Sequence, residues 1–259
     1  MREAARIVPD AVPRLLSHDE ASGSITMEYL PPATHVLWKD ALRAGDTDPA
    51  VAAEVAARLV RIHAATAAQP ALAAAFPTAA IFHAIRLEPY LLATARRHPD
   101  RAAVLTALAE RTAATRIALV HGDVSPKNIL IGPRGPVFLD AECATWGDPA
   151  FDAAFCLNHL LLKCLWVPAA RHRFLACYGA FAERYRAGID WEEPAACEAR
   201  AASLLPGLFL ARVDGTSPVE YVNEAADKDR VRRVARALLA QPRARLADVA
   251  EAWAEELVR

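Results

Sequence analysis

The 259-residue sequence has no surplus of basic charge: Lys and Arg together number 30 against 31 Asp and Glu, a formal net charge of -1. A surface that holds a phosphate backbone by counterion release needs that surplus, so nucleic acid is not an expected partner. The arginines of "VRRVARALLAQPRARL" interleave with apolar residues at helical spacing, the pattern of a solvated helix face. Cysteine is sparse. The five residues Cys143, Cys156, Cys164, Cys177 and Cys197 form no CxxC pair, which removes the usual zinc and dithiol motifs and leaves buried, reduced thiols of a cytosolic protein as the expectation. No apolar run is clean enough to suggest a membrane span: the best, "FDAAFCLNHLLLKCLWV", is interrupted by Asn158, His159 and Lys163. "MREAARIVPDAV" lacks the apolar centre of a signal peptide. No internal repeat or low-complexity linker stands out. The expectation is a cytoplasmic protein with neither membrane nor nucleic acid as partner.

What is present is a composition of 54% hydrophobic and 24% charged residues, enough to bury a sizeable core. "SITMEYL" (Ser24 to Leu30) reads as a strand closed by Pro31-Pro32. Asp48-Pro49 starts a helix on which Val51, Val55, Leu59 and Ile62 share a face. Helical patterns follow over Ile81 to Arg97 and Arg101 to about Ala114. The period then changes. "RIALV", "NILI" and "PVFL" are short β-type runs, the last two joined by Gly132-Pro133-Arg134-Gly135 as the one clear hairpin. Beyond it the pattern is helical over Asp152 to Trp166, Ala169 to Tyr185, Glu192 to Leu210 and Ser217 to Leu239. A last helix follows, with Leu246, Val249, Trp253 and Leu257 on one stripe. The expected class is α+β: a mostly helical lobe holding one hairpin, preceded by a small strand-bearing fragment.

Polar residues converge on that hairpin. "LVHGDVSPKNILIGPRGPVFLDAE" carries His121, Asp123, Asn128 and Asp140. If Ile131 faces Pro136, antiparallel register sets Asn128 opposite Leu139, with Asp140 one step further, and cross-strand neighbours lie about 5 Å apart. Asn128 and Asp140 can then share one hard cation, with Asp123 close by. Such a set suits phosphoryl transfer, which needs Mg²⁺ against phosphate charge and a carboxylate to receive the proton of an attacking hydroxyl. Taken singly, an HGD in a loop or an Asp after a strand is an ordinary turn residue; the ordered combination is what carries the reading.

"HGDVSPKNIL", "VFLDAE" and "GDPAFDAAF" resemble the aminoglycoside phosphotransferase and choline kinase-like family, whose fold is protein-kinase-like. "MEYLPP" is similar to its hinge, and "RLVRIHA" to the helix before its catalytic loop. The resemblance runs from about Val12 to Asp152 and implies Asp123 as catalytic base and Asn128 and Asp140 as metal ligands. The hinge backbone at Glu28 and Leu30, with Met27 beside it, would receive the adenine of ATP. His121 would brace the loop and Asp152 would hold it from the next helix. An ordinary edge-strand pair remains open for Met27 and Glu28, and solvent exposure for Lys127. Glu142 is open between a supporting role behind the metal ligands and plain exposure. Asn158 and His159 read as satisfied core polar groups, and Arg212, Asp214 and Glu220 as a turn between helices, where the resemblance also places acceptor contacts.

The family's Gly-rich turn and strand lysine have no counterpart before the hinge, where Gly23 is the only glycine and no lysine precedes Lys39. The expectation is therefore an incomplete N-terminal lobe over residues 1–30 and a helical C-terminal lobe over 31–259, in a chain that begins inside the small lobe. The expected function is an ATP- and Mg²⁺-dependent phosphotransferase acting on a small-molecule hydroxyl. The alternatives are a noncatalytic nucleotide-binding pseudokinase or inactive truncated relative and, less favoured, a metal-dependent hydrolase on His121, Asp123 and Asp140. Neither the acceptor nor the oligomeric state is legible. Aminoglycosides would call for an acidic pocket and a quaternary amine for an aromatic cage.

Overall fold

The computed structural model describes residues 1–259. Helix α1 (Arg2–Ile7) and the turn Pro9–Ala11 lie against the helical body, and Val8, Ala11 and Val12 enter its core. The chain then leaves that core. Strands β1 (Leu15–Asp19) and β2 (Ser24–Met27) pair antiparallel with Leu16, Ile25 and Met27 exposed. This second hairpin has no sequence signal in "LLSHD", which lacks the period-two alternation of a half-buried strand.

Strand β3 (Val36–Leu37) leads into α2 (Trp38–Arg43) and then α3 (Pro49–Ala67), which starts where Asp48 Oδ1 accepts from the Ala50 N–H at 2.8 Å. Over the expected Ile81–Arg97 helix the chain is helical but not uniform. α4 (Ala79–Phe82) passes into a π-helical run, His83–Leu92, and then α5 (Ala93–Arg97). Pro89 lies inside the π run and has no N–H to donate to an α-helical ladder. α6 (Ala102–Ala114) completes this part.

The expected hairpin register is present. β4 (Ala118–Val120) is followed by β5 (Ile129–Gly132) and β6 (Gly135–Phe138), with Ile131 opposite Pro136 and the Leu139 N–H donating to the Asn128 carbonyl at 2.8 Å. β3 pairs with the outer side of β5, and β7 (Thr145–Gly147) pairs with β4. Buried Arg58 of α3 fastens the hairpin to the helical body, donating to the carbonyls of Asp10 (2.7 Å), Pro136 (2.8 Å) and Arg134. At Gly135, φ +101° places the backbone where an L side chain is strained, and a Cβ would run into the Arg58 guanidinium.

α7 (Pro149–Trp166) begins three residues before the expected Asp152, because Asp148 caps it at the Ala150 N–H (3.0 Å) and Pro149 fits the first turn. Almost all of α7 is buried, packed against α8 (Arg171–Ala187) and α9 (Pro194–Asp214). α10 (Ala225–Ala240) and α11 (Leu246–Leu257) close the body. α10 starts eight residues later than the pattern Ser217–Leu239 suggests. Segment 217–224 is held irregular by Arg212, which donates to the Ser217 carbonyl at 2.7 Å and accepts the Val219 N–H on its own carbonyl at 2.9 Å. All five cysteines are free and buried, and no helix is long and apolar enough to cross a membrane.

Candidate active site

Asp152, fully buried in the first turn of α7, organises the loop between β4 and β5. Its Oδ2 accepts from the His121 N–H at 2.7 Å and its Oδ1 from the Gly122 N–H at 2.8 Å, while His63 of α3 donates Nε2–H to Oδ2 at 3.1 Å. Burial alone would raise this carboxyl; the hydrogen bond and charge of His63, with His121, turn the balance to a net lowering. His63 is held from its other side by the Tyr185 hydroxyl at 2.7 Å. Gly122 takes φ +78°, and a Cβ there would stand 2.7 Å from the Cys143 carbonyl oxygen, so the loop requires glycine at this point.

His121 bridges the two halves of the site. Its Nε2 meets the Leu139 carbonyl at 3.0 Å and its Nδ1 meets the Asp123 N–H at 3.2 Å. A carbonyl can only accept and an N–H can only donate, which assigns the neutral tautomer with the proton on Nε2. Burial, outweighing the nearby carboxylates, lowers its pKa below the ordinary imidazole value.

Asp123 follows, 3% exposed. Both cations that reach it converge on Oδ2: Arg86 Nη2 at 2.9 Å and Lys127 Nζ at 3.3 Å. Oδ1 takes no hydrogen bond from the chain, which leaves one carboxylate oxygen available to a ligand. Buried Asn128 donates Nδ2–H to the Asp123 carbonyl at 3.2 Å, leaving its amide oxygen without a partner. Ser125, between them, has a buried hydroxyl with no partner. Asp140, at the end of the hairpin, is exposed and is the one non-glycine residue with positive φ (60°, ψ 57°). Left-handed backbone at an Asp after a strand is the local strain that re-aims functional side chains.

The other expected residues lie at the β1–β2 end. Met27 is exposed, Glu28 and Leu30 are half-buried, and the Glu28 N–H is taken by the Arg14 carbonyl at 2.9 Å. The Glu28 carbonyl and the Leu30 N–H take no backbone hydrogen bond. Asn128 and Asp140 carry oxygen donors of the kind a hard cation takes. No cluster of three or more His, Cys, Asp or Glu side chains forms a site that would hold a metal by itself.

Sequence reasoning missed Arg86. It sits in the π-helical run, donates from Nε to the Gly122 carbonyl at 2.5 Å, grips Asp123 and covers the Phe155 ring with its guanidinium 5.8 Å from the centroid. It also misjudged α7: Asn158 and His159 are not satisfied core groups, since both amide atoms of Asn158 and the Nε2 of His159 are buried without partners.

A helical body, a loop carrying an Asp and an Asn, and a hairpin ending in a second Asp together make a protein-kinase-like fold. The phosphotransferase enzyme family (APH) matches residues 2–197, and the chain belongs to that family. Among solved structures it superposes on a choline/ethanolamine kinase family protein from Mesorhizobium loti. The TM-score is 0.52 at 17% identity, covering 100% of this chain and 81% of that one, a likeness of fold. No curated protein matches the chain.

Proposed function

We propose that the protein transfers the γ-phosphoryl group of ATP to a hydroxyl of a small molecule. The observation that carries this reading is the Asp123 carboxylate, whose Oδ2 is fixed by Arg86 and Lys127 and whose Oδ1 is open. A hydroxyl bound at Oδ1 is oriented for attack and gives its proton to Asp123 as its oxygen bonds to the γ-phosphorus. The bond from that phosphorus to the bridging oxygen breaks, and ADP leaves. Asn128 and Asp140 would hold Mg²⁺, which when bound neutralises phosphate charge. Lys127, half exposed beside Asp123, is free to turn to the transferred phosphate as it arrives. The unpaired Glu28 carbonyl and Leu30 N–H present one acceptor and one donor for the adenine edge, with Met27 beside them.

A second reading, nucleotide binding without turnover, draws on the β1–β2 turn, which offers Gly23 alone and no lysine to grip the phosphates. One experiment separates the two: Mg-ATP titration by calorimetry alongside coupled ADP release over a panel of hydroxyl acceptors. Acceptor-dependent ADP release above the Asp123→Asn background supports transfer. Binding of Mg-ATP with no such release across the panel overturns it.

A further inference from the structure

A group of cations extends from Asp123 along α7, among the carboxylates Asp123, Glu220 and Asp40. Lys39 of α2, the helix packed against the Pro126–Asn128 turn, pairs with Glu220, while Arg86 and Lys127 share Asp123. Two further cations, Lys163 of α7 and Arg212 of α9, have no carboxylate within ion-pair distance. Arg212 directs Nη1 to the Tyr90 hydroxyl at 2.9 Å and to the Ser217 carbonyl at 2.7 Å, and its Nε is buried with no partner. Lys163 is 1% exposed and lies over the rings of Trp166 (4.2 Å) and Tyr221 (4.8 Å), which stack on each other at 4.6 Å. The Tyr221 hydroxyl and His159 Nε2 are buried without partners as well.

This cluster is continuous with the catalytic loop. Arg86 holds Asp123 and covers Phe155, and His159 packs edge-on against the same Phe155 ring at 5.4 Å. Burial, and then Arg212, Lys163, Lys127 and Lys39, push His159 well below the ordinary imidazole range. Lys127, which reaches Asp123, and Lys39, whose helix packs on the Pro126–Asn128 turn, tie this group to the loop.

The arrangement excludes a cationic acceptor on two counts. The aromatic pair that could receive an ammonium group is already filled by Lys163, with Lys39 and Arg43 also 6.0 and 5.7 Å from the Trp166 ring. An incoming amine would also meet like charge in a partly desolvated site. An anion would instead pair the two free cations and the orphaned donors together.

Resting on the phosphotransferase reading, we propose that the acceptor carries a carboxylate or phosphate beside the hydroxyl it presents to Asp123. That anion is bound by Arg212 and Lys163, with His159 and Tyr221 as neighbouring polar partners.

The test uses matched acceptors that differ in charge: glycerate against glyceramide, ribose 5-phosphate against ribose, and choline, ethanolamine and kanamycin as cations. Coupled ADP release is measured beside the thermal shift that each compound induces with Mg-ADP present. The expected result is a kcat/KM at least about 10-fold higher for the anionic member of a pair. Arg212→Gln and Lys163→Met should each raise its KM about 10-fold or more while kcat changes less than about 3-fold. Whichever anionic series is preferred identifies carboxylate or phosphate. Equal use of charged and neutral members, or preference for the amines, overturns the inference and leaves phosphoryl transfer standing. If no acceptor elicits ADP release, the transfer reading falls and the thermal shift decides the inference. Protection by the anions alone, lost in both variants, supports it, and no selective protection overturns it.

Discussion

Arg86 Nη2 stands 2.9 Å from Asp123 Oδ2 while its Nε donates to the Gly122 carbonyl, so one guanidinium fixes both the carboxylate and the peptide before it. Arg86→Met should therefore lower kcat by about 10- to 100-fold, the scale of a slightly misplaced catalytic group, with little change in KM for ATP. Arg86→Lys should not restore it, because a single ammonium cannot reach both oxygens in that fork geometry. Steady-state kinetics of the two variants check this; rescue by lysine would reduce Arg86 to a charge.

Asp123 and Asp140 should fail in different ways. Asp123→Asn removes the proton acceptor at the open oxygen and should cut kcat by at least about 100-fold with Mg-ATP affinity retained. Asp140→Ala should weaken Mg-ATP binding itself by at least about 10-fold. Calorimetric titration and ADP release on both variants read the split. Wild-type turnover in either removes the role assigned to it.

Asp152→Asn should destabilise the fold by about 3 kcal/mol, the cost of breaking a buried charge network, because its single NH₂ must oppose either the Gly122 N–H on one side or the His121 N–H and His63 on the other. In a chain of this size that corresponds to a fall in Tm of roughly 6–12 °C. Urea unfolding gives the energy directly, and an unchanged midpoint would show that the loop does not depend on Asp152.

The hairpin and its register are legible in the sequence because they obey local rules, a period of two and a Gly-Pro-Arg-Gly turn, as is the helix start at Asp48-Pro49. Arg86 is not legible. It reaches Asp123 from within a π-helical run, and nothing in "HAIRLEP" separates a buried arginine from a solvated one. The left-handed Asp140 is similarly hidden, since the sequence shows an Asp after a strand and not its φ. Asn158, His159 and Lys163 lie in an apolar helix whose composition suggests core. The unpartnered atoms of Asn158 and His159, and the seat of Lys163 over Trp166 and Tyr221, emerge only in the packed fold.

Lys163 gives the most direct check of that packing. Burial, and then Lys39, lower its pKa from 10.5 to about 7, with Glu220 and Asp40 opposing, so the fold resists its charged form. A base whose pKa is lower in the folded chain destabilises the fold most below the folded value, where it is charged in both states. The penalty is relieved as pH rises from about 7 toward 10.5, because the unfolded chain then binds more protons than the folded one. Lys163→Met keeps the length and suits the contact with Trp166 and Tyr221. The substitution should therefore raise stability by a few kcal/mol at pH 6, about 5–10 °C in Tm, and by less than about 1 kcal/mol at pH 10. Thermal melts of both proteins at matched pH read the difference. A gain that is constant with pH would mean that the pKa of Lys163 is not lowered by the fold, and a loss at pH 6 that its charged ammonium is stabilised by the aromatic neighbours rather than held there at a cost.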